Sequence, residues 1–87
     1  MQWGEDKRYW KVASEMKHWT AYGVEANRMG FNGEGITLHD LSDTYFKPLK
    51  MTLAVNISSA MCAYDAINGV PSCANSWMND KVLRQTW

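Results

Sequence analysis

Short apolar runs alternate along this chain with polar stretches that carry glycine, and their spacing predicts its elements. Val12 to Trp19 is rich in small and apolar residues and short enough for a strand, although periodicity alone leaves a helix open. Glycines at 23, 30, 33 and 35, with Asn27 and Asn32, give residues 23–35 the composition of a long surface loop with several turns. Loops of that length often carry function. Thr37 and Asp40 have capping-box spacing and open a helix whose expected buried stripe is Leu38, Leu41 and Tyr45. Asp40 and Asp43 sit where the helix dipole favours negative charge. Pro48 lacks an N–H and crowds the preceding turn, which predicts a break near Phe46 or Lys47 and a restart towards Val55. Ile57 to Tyr64 is a second strand candidate, Asn68-Gly69 and Pro71 turn the chain, and Met78, Val82 and Leu83 form one side of a last helix reaching Trp87.

Strand, loop, helix, strand, loop, helix is the order of a parallel α/β architecture. No internal repeat, low-complexity tract or linker divides it. At 87 residues the chain makes at most one small domain, and a chain of that size buries only a little more than ~60% of its unfolded surface. Yet 46% of the residues are hydrophobic and five are tryptophan, more apolar surface than so short a chain comfortably hides, so part of it is expected to meet a partner. Nine basic residues balance nine acidic ones without runs of either sign, which excludes the electrostatic footprint of a nucleic-acid or anionic-membrane binder and suits a neutral ligand. No apolar stretch approaches the ~20 residues of a membrane span, and the polar residues 4–8 are not the apolar core of a signal peptide. The two cysteines and two histidines lack paired ligand spacing, so neither a metal nor another cofactor is expected.

Two motifs carry more specific information: Lys17-His18-Trp19 with Ala21-Tyr22 and Glu25, and Met61-Cys62-Ala63-Tyr64-Asp65 through Asn68-Gly69-Val70-Pro71-Ser72-Cys73-Ala74-Asn75-Ser76. From about Arg8 to Trp87 the chain resembles the barrel domain of glycoside hydrolase family 3, nearest its β-xylosidase branch. The resemblance implies a hydrolase of carbohydrate metabolism, a retaining exo-acting β-glycosidase on xylo-oligosaccharides or β-glucosides. It implies a partial (β/α)8 TIM barrel, because a whole one takes about 250 residues. This chain would supply two βα units: strand 12–19, helix 38–55 broken near Pro48, strand 57–64 and helix 75–87. Residues 1–87 are then a fragment of the barrel domain with no second domain, and activity is expected to need the rest of the barrel and a second domain.

Barrel ligands sit at the C-terminal ends of the strands, where Lys17, His18 and Tyr64 fall. Residue chemistry alone reads Lys17-His18 as a surface lysine beside a core histidine, Met61 as core and Tyr64 as half-buried. The resemblance instead places Lys17, His18, Met61 and Tyr64 in the subsite that grips the non-reducing sugar. Neighbours in a regular strand face opposite ways, so Lys17 and His18 share a ligand only if the backbone there is irregular; the resemblance implies non-proline cis peptides in that segment. Glu25 is a weaker candidate for sugar contact, the ordinary reading being a solvated loop glutamate. His39, Asp40 and Asp43 read as capping and solvent-facing. Cys62 and Cys73 flank the Asn68-Gly69 turn at positions where the family also has cysteine, and a disulfide and two buried thiols both stay open. Four departures stand out from the family pattern: Trp19 for phenylalanine or tyrosine, Gly23 for aspartate, Ala63 for serine and Asp65 for asparagine.

Retaining glycosidases use two carboxylates about 5–5.5 Å apart. The resemblance places the nucleophile after the helix that ends here and the acid/base in the second domain, so no catalytic residue is assigned and the parent, not this chain alone, is expected to be an enzyme. A secreted parent with its own N-terminus upstream is compatible with this. A non-catalytic sugar-binding or small interaction module is the alternative. The purified 87-residue chain is expected to release no nitrophenol from aryl β-xylosides or β-glucosides; turnover abolished by Asp65→Asn would make Asp65 a catalytic group.

Overall fold

The computed structural model describes residues 2–87. Two strands, β1 (Glu15–Trp19) and β3 (Ser59–Cys62), pair in parallel, with Glu15 opposite Ser59, Met16 opposite Ala60 and Trp19 opposite Cys62. The ladder is irregular between Met16 and Trp19, and the Lys17–His18 and Trp19–Thr20 peptide bonds are cis. Both strands are shorter than their apolar runs. Residues 2–12 fold back instead of extending β1: Gln2 accepts from the Lys11 N–H at 2.7 Å, and Trp3 bridges to Trp10 with their rings edge to face at 5.8 Å.

Gln2 explains that return. Its amide is buried and fully used, donating to the carbonyls of Val55 and Asn56 at 3.0 Å and accepting from the N–H groups of Ser14 at 3.1 Å and Ser58 at 3.2 Å and from the Ser58 hydroxyl. One side chain thus ties the N-terminus to the starts of both long strands.

A helical rod over 38–55 connects β1 to β3. Thr37 and Asp40 form the expected capping box, each side chain bonding the other's backbone N–H. The rod does not break at Pro48, which lies inside the α-helical turn Phe46–Met51. Leu41–Tyr45 is a π-helical turn, so Thr44, whose carbonyl the proline ring would meet in a regular helix, already belongs to a widened stretch. The same turn rotates the buried face. Leu41 and Phe46, five positions apart, point inward with Leu49 partly buried, whereas Leu38 and Tyr45 of the expected stripe are exposed. Asn56 in the left-handed region ends the rod.

Residues 23–35 are not wholly loop. Asn32–Gly33 (β2) pairs in parallel with Ala66–Ile67 (β4), which forms a hairpin with Val70–Pro71 (β5). Asn68 and Gly69 both have positive φ, 49° and 82°, the backbone of a type I′ two-residue turn. Asn68 also binds this hairpin to the loop, accepting from the Gly35 N–H and donating to the Ile36 carbonyl, both at 2.9 Å.

The C-terminal helix, Trp77–Thr86, is wide throughout and brings Met78, Val82, Leu83 and then Trp87 onto the core. Trp19 is at the centre of that core. It stacks on Phe46 at 5.0 Å, meets Trp87 edge-on at 5.1 Å and donates its indole N–H to Asn79 at 3.0 Å. Asn79 in turn donates to the carbonyls of Ser72 and Cys73. Asp65 is also buried. One carboxylate oxygen accepts from the Ser72 hydroxyl at 3.3 Å and the other has no partner among the described residues. Burial pushes its pKa above the ordinary 3.8, against the opposing effects of Ser72 and His18.

Two stability measurements follow. Trp19→Ala removes the stacked indole and is expected to cost about 3–5 kcal/mol, abolishing any cooperative denaturation transition in a chain this small. A raised folded pKa means Asp65 destabilises the fold as pH rises from below 3.8 through its raised value. Asp65→Asn should therefore gain stability over the parent chain across that window, hold the gain at neutral pH and lose it at lower pH, as read by denaturant titrations at several pH values.

Candidate functional site

The parallel pairing of β1 and β3 puts their C-terminal ends on the same side, and Lys17, His18 and Tyr22 of the first motif and Tyr64 of the second lie there. Lys17 and His18 line a small cleft of about 190 Å³ with Thr20, Tyr22, Thr44 and Tyr45. Thr44 and Tyr45 come from the widened turn of the helical rod. His18 is half-buried between two tyrosine rings, Tyr22 at 4.5 Å and Tyr64 at 6.3 Å. Lys17 is exposed at the rim. Both neighbours face one cleft, as the irregular ladder between Met16 and Trp19 permits.

Tyr64 follows β3, is 48% exposed and stands beside His18 at the margin of the cleft, outside the residues that line it. Its surroundings are doubly held. Cys62 and Cys73 form a disulfide with Cα atoms 5.2 Å apart, and Ser72 N–H bonds the Asp65 carbonyl at 2.9 Å. Met61 is half-buried on β3 and is not among the residues lining this cleft.

Glu25 stands on the 3-10 turn Glu25–Asn27, three residues from Tyr22. It accepts from the Tyr22 hydroxyl on one oxygen and from Arg28 on the other, at 2.7 Å. The hydrogen bond to the Glu25 carboxylate raises the Tyr22 pKa, and the Tyr22 and Arg28 bonds hold the Glu25 carboxyl below its ordinary range. In the sequence Tyr22 stands within a motif without an assigned role, Tyr45 belongs to the expected buried stripe of the helix, and Arg28 and Thr44 carry no assignment. Spacing of three from Tyr22 to Glu25 and from Glu25 to Arg28 was the available signal for two of them.

A larger cavity of about 400 Å³ lies between β3 and the C-terminal helix, lined by Ala60, Cys62, Asn79, Asp80 and Arg84. It holds none of the residues expected to touch sugar. Among the described residues, no three of His, Cys, Asp or Glu come together as metal ligands, and no helix is long and apolar enough to cross a membrane.

An ammonium with three donors, an imidazole that donates or accepts and tyrosine rings with one open face make a surface suited to a ring of hydroxyl groups. No protein-family model matches the chain. A probable exo-1,4-β-xylosidase of Aspergillus clavatus is 39% identical over 93 aligned positions, which take in 100% of this chain and 12% of that protein. The exo-1,4-β-xylosidase of Emericella nidulans is 36% identical, with 100% of this chain and 11% of the relative aligned. A β-xylosidase/α-L-arabinofuranosidase 2 of Medicago sativa subsp. varia is 39% identical over 94% of this chain and 11% of its own length. The chain thus spans about a tenth of the length of the curated relatives it matches. It is related to one region of β-xylosidase-type glycosidases.

Proposed function

We propose that this chain is part of a glycoside hydrolase family 3 barrel, two βα units of a (β/α)8 domain from a retaining exo-acting β-xylosidase-like enzyme. It carries part of the glycone subsite and not the catalytic carboxylates. The observation that supports this best is the convergence of Lys17, His18 and Tyr64 at the shared end of β1 and β3, in a chain whose relatives are named xylosidases.

In this reading Lys17 donates to hydroxyls at the rim, His18 donates or accepts deeper in the cleft and Tyr64 offers its ring face and hydroxyl to the same sugar. Met61, half-buried on β3 outside this cleft, would reach the same sugar only from the cleft's margin. Cleavage falls to two carboxylates supplied by the rest of the barrel and by a second domain. Asp65 takes no part in the chemistry. Its carboxyl is buried within the loop after β3 and is engaged with Ser72, a structural position that suits the asparagine usual in the family it resembles better than a nucleophile.

The test is a graft in which this segment replaces the corresponding stretch of the Aspergillus clavatus relative. Lys17→Ala and Tyr64→Phe in that graft should each lower kcat/KM on aryl β-xylosides about 5- to 150-fold, the equivalent of ~1–3 kcal/mol per lost hydrogen bond, with Tm unchanged. Variants with unaltered kcat/KM would remove these residues from the sugar site.

A further inference from the structure

Resting on the glycone-subsite reading, we propose that Glu25 and Arg28 are positioning residues, holding the Tyr22 ring against His18 and so fixing the imidazole that faces the sugar. Among the described residues, no hydrogen bond from the protein reaches the His18 side chain, so its orientation is set by packing. Its nearest ring is Tyr22, with centroids 4.5 Å apart and planes at 46°. The Tyr22 hydroxyl is held by one Glu25 oxygen, and the other Glu25 oxygen accepts from Arg28 Nη1 at 2.7 Å. Arg28 is tethered close by, its backbone N–H bonding the Glu25 carbonyl at 3.3 Å.

The sequence offers Glu25 as a direct sugar contact; in the structure each of its oxygens receives a hydrogen bond, one of them from Tyr22, whose ring packs on His18. That arrangement gives Glu25 a route to the ligand through Tyr22. The Glu25–Arg28 pair is exposed, and solvent screening leaves exposed ion pairs little weight in folding. Its removal should therefore be felt at His18 more than in global stability. Tyr22 and Glu25 shift their pKa values in opposite directions, as expected of a phenol that donates to a carboxylate.

The experiment is NMR of the 87-residue chain with labelled histidine and tyrosine, without sugar. Glu25→Gln and Arg28→Ala should each move the His18 ring-proton resonances in the direction seen for Tyr22→Leu, and neither should move them further in a Tyr22→Leu background. The Tyr22 ionisation midpoint should also fall towards the ordinary tyrosine value in Glu25→Gln. His18 resonances that stay put in the single variants, a Tyr22 ionisation midpoint in the parent chain that is no higher than in Glu25→Gln, or effects that add in the Tyr22→Leu background would each overturn the proposal. The last outcome would put Glu25 in direct action on the histidine. Because these shifts are read without sugar, their failure is separable from that of the sugar-site reading, which the Lys17→Ala graft decides.

Discussion

Burial of the Trp19 indole is the constraint on which the rest of the chain depends. The side chain is 1% exposed and joins three elements: it lies on β1, stacks on Phe46 of the helical rod, meets Trp87 beyond the C-terminal helix and donates to Asn79 within it. An indole buried without a partner for its N–H would give back much of its apolar gain. Asn79 meets that need and, through its own N–H groups, fastens the loop after β5. Sheet, rod and final helix therefore depend on a single side chain and the amide that satisfies it.

The cleft is a by-product of the same packing. Trp19 points inward and the two residues before it, Lys17 and His18, line the cleft, while the rod that covers the indole with Phe46 presents Thr44 and Tyr45 on the other wall. A disulfide closing a separation of 11 residues removes roughly 3 kcal/mol of chain entropy from the unfolded state in the loop-closure picture. It does so directly around Tyr64, whose ring is about half exposed beside His18.

How much of this could be read beforehand depended on whether the signal was local. The two strand segments, the Thr37 and Asp40 box and the inward face of Met78, Val82 and Leu83 were legible because each is written within a few neighbouring positions, and the parallel pairing followed from the order of the elements. Pro48 misled because the rule against helical proline assumes regular α geometry, and one wide turn from Leu41 to Tyr45 both admits the ring and moves the buried face from Leu38 and Tyr45 to Phe46. Strands β2, β4 and β5 were missed because two residues are too few to show a period. The Gln2 contacts, 53 to 56 positions away, leave no local mark at all. At the site, motif likeness brought forward Lys17, His18 and Tyr64, whereas Tyr22 and Arg28 stood in or beside a glycine-rich stretch where polar residues ordinarily face water.

The amide of Gln2 bears on the order in which this topology assembles. The β1–β3 ladder joins positions 44 apart, so the chain must close a long loop before that pairing returns any free energy, and non-local pairing of this kind belongs to slow folding. Gln2 bridges Ser14, Val55, Asn56 and Ser58, groups that come together only when β1 and β3 are already side by side. It latches an assembled sheet and cannot nucleate one, so the N-terminal strap is a late event whose loss would hasten unfolding more than it would slow folding.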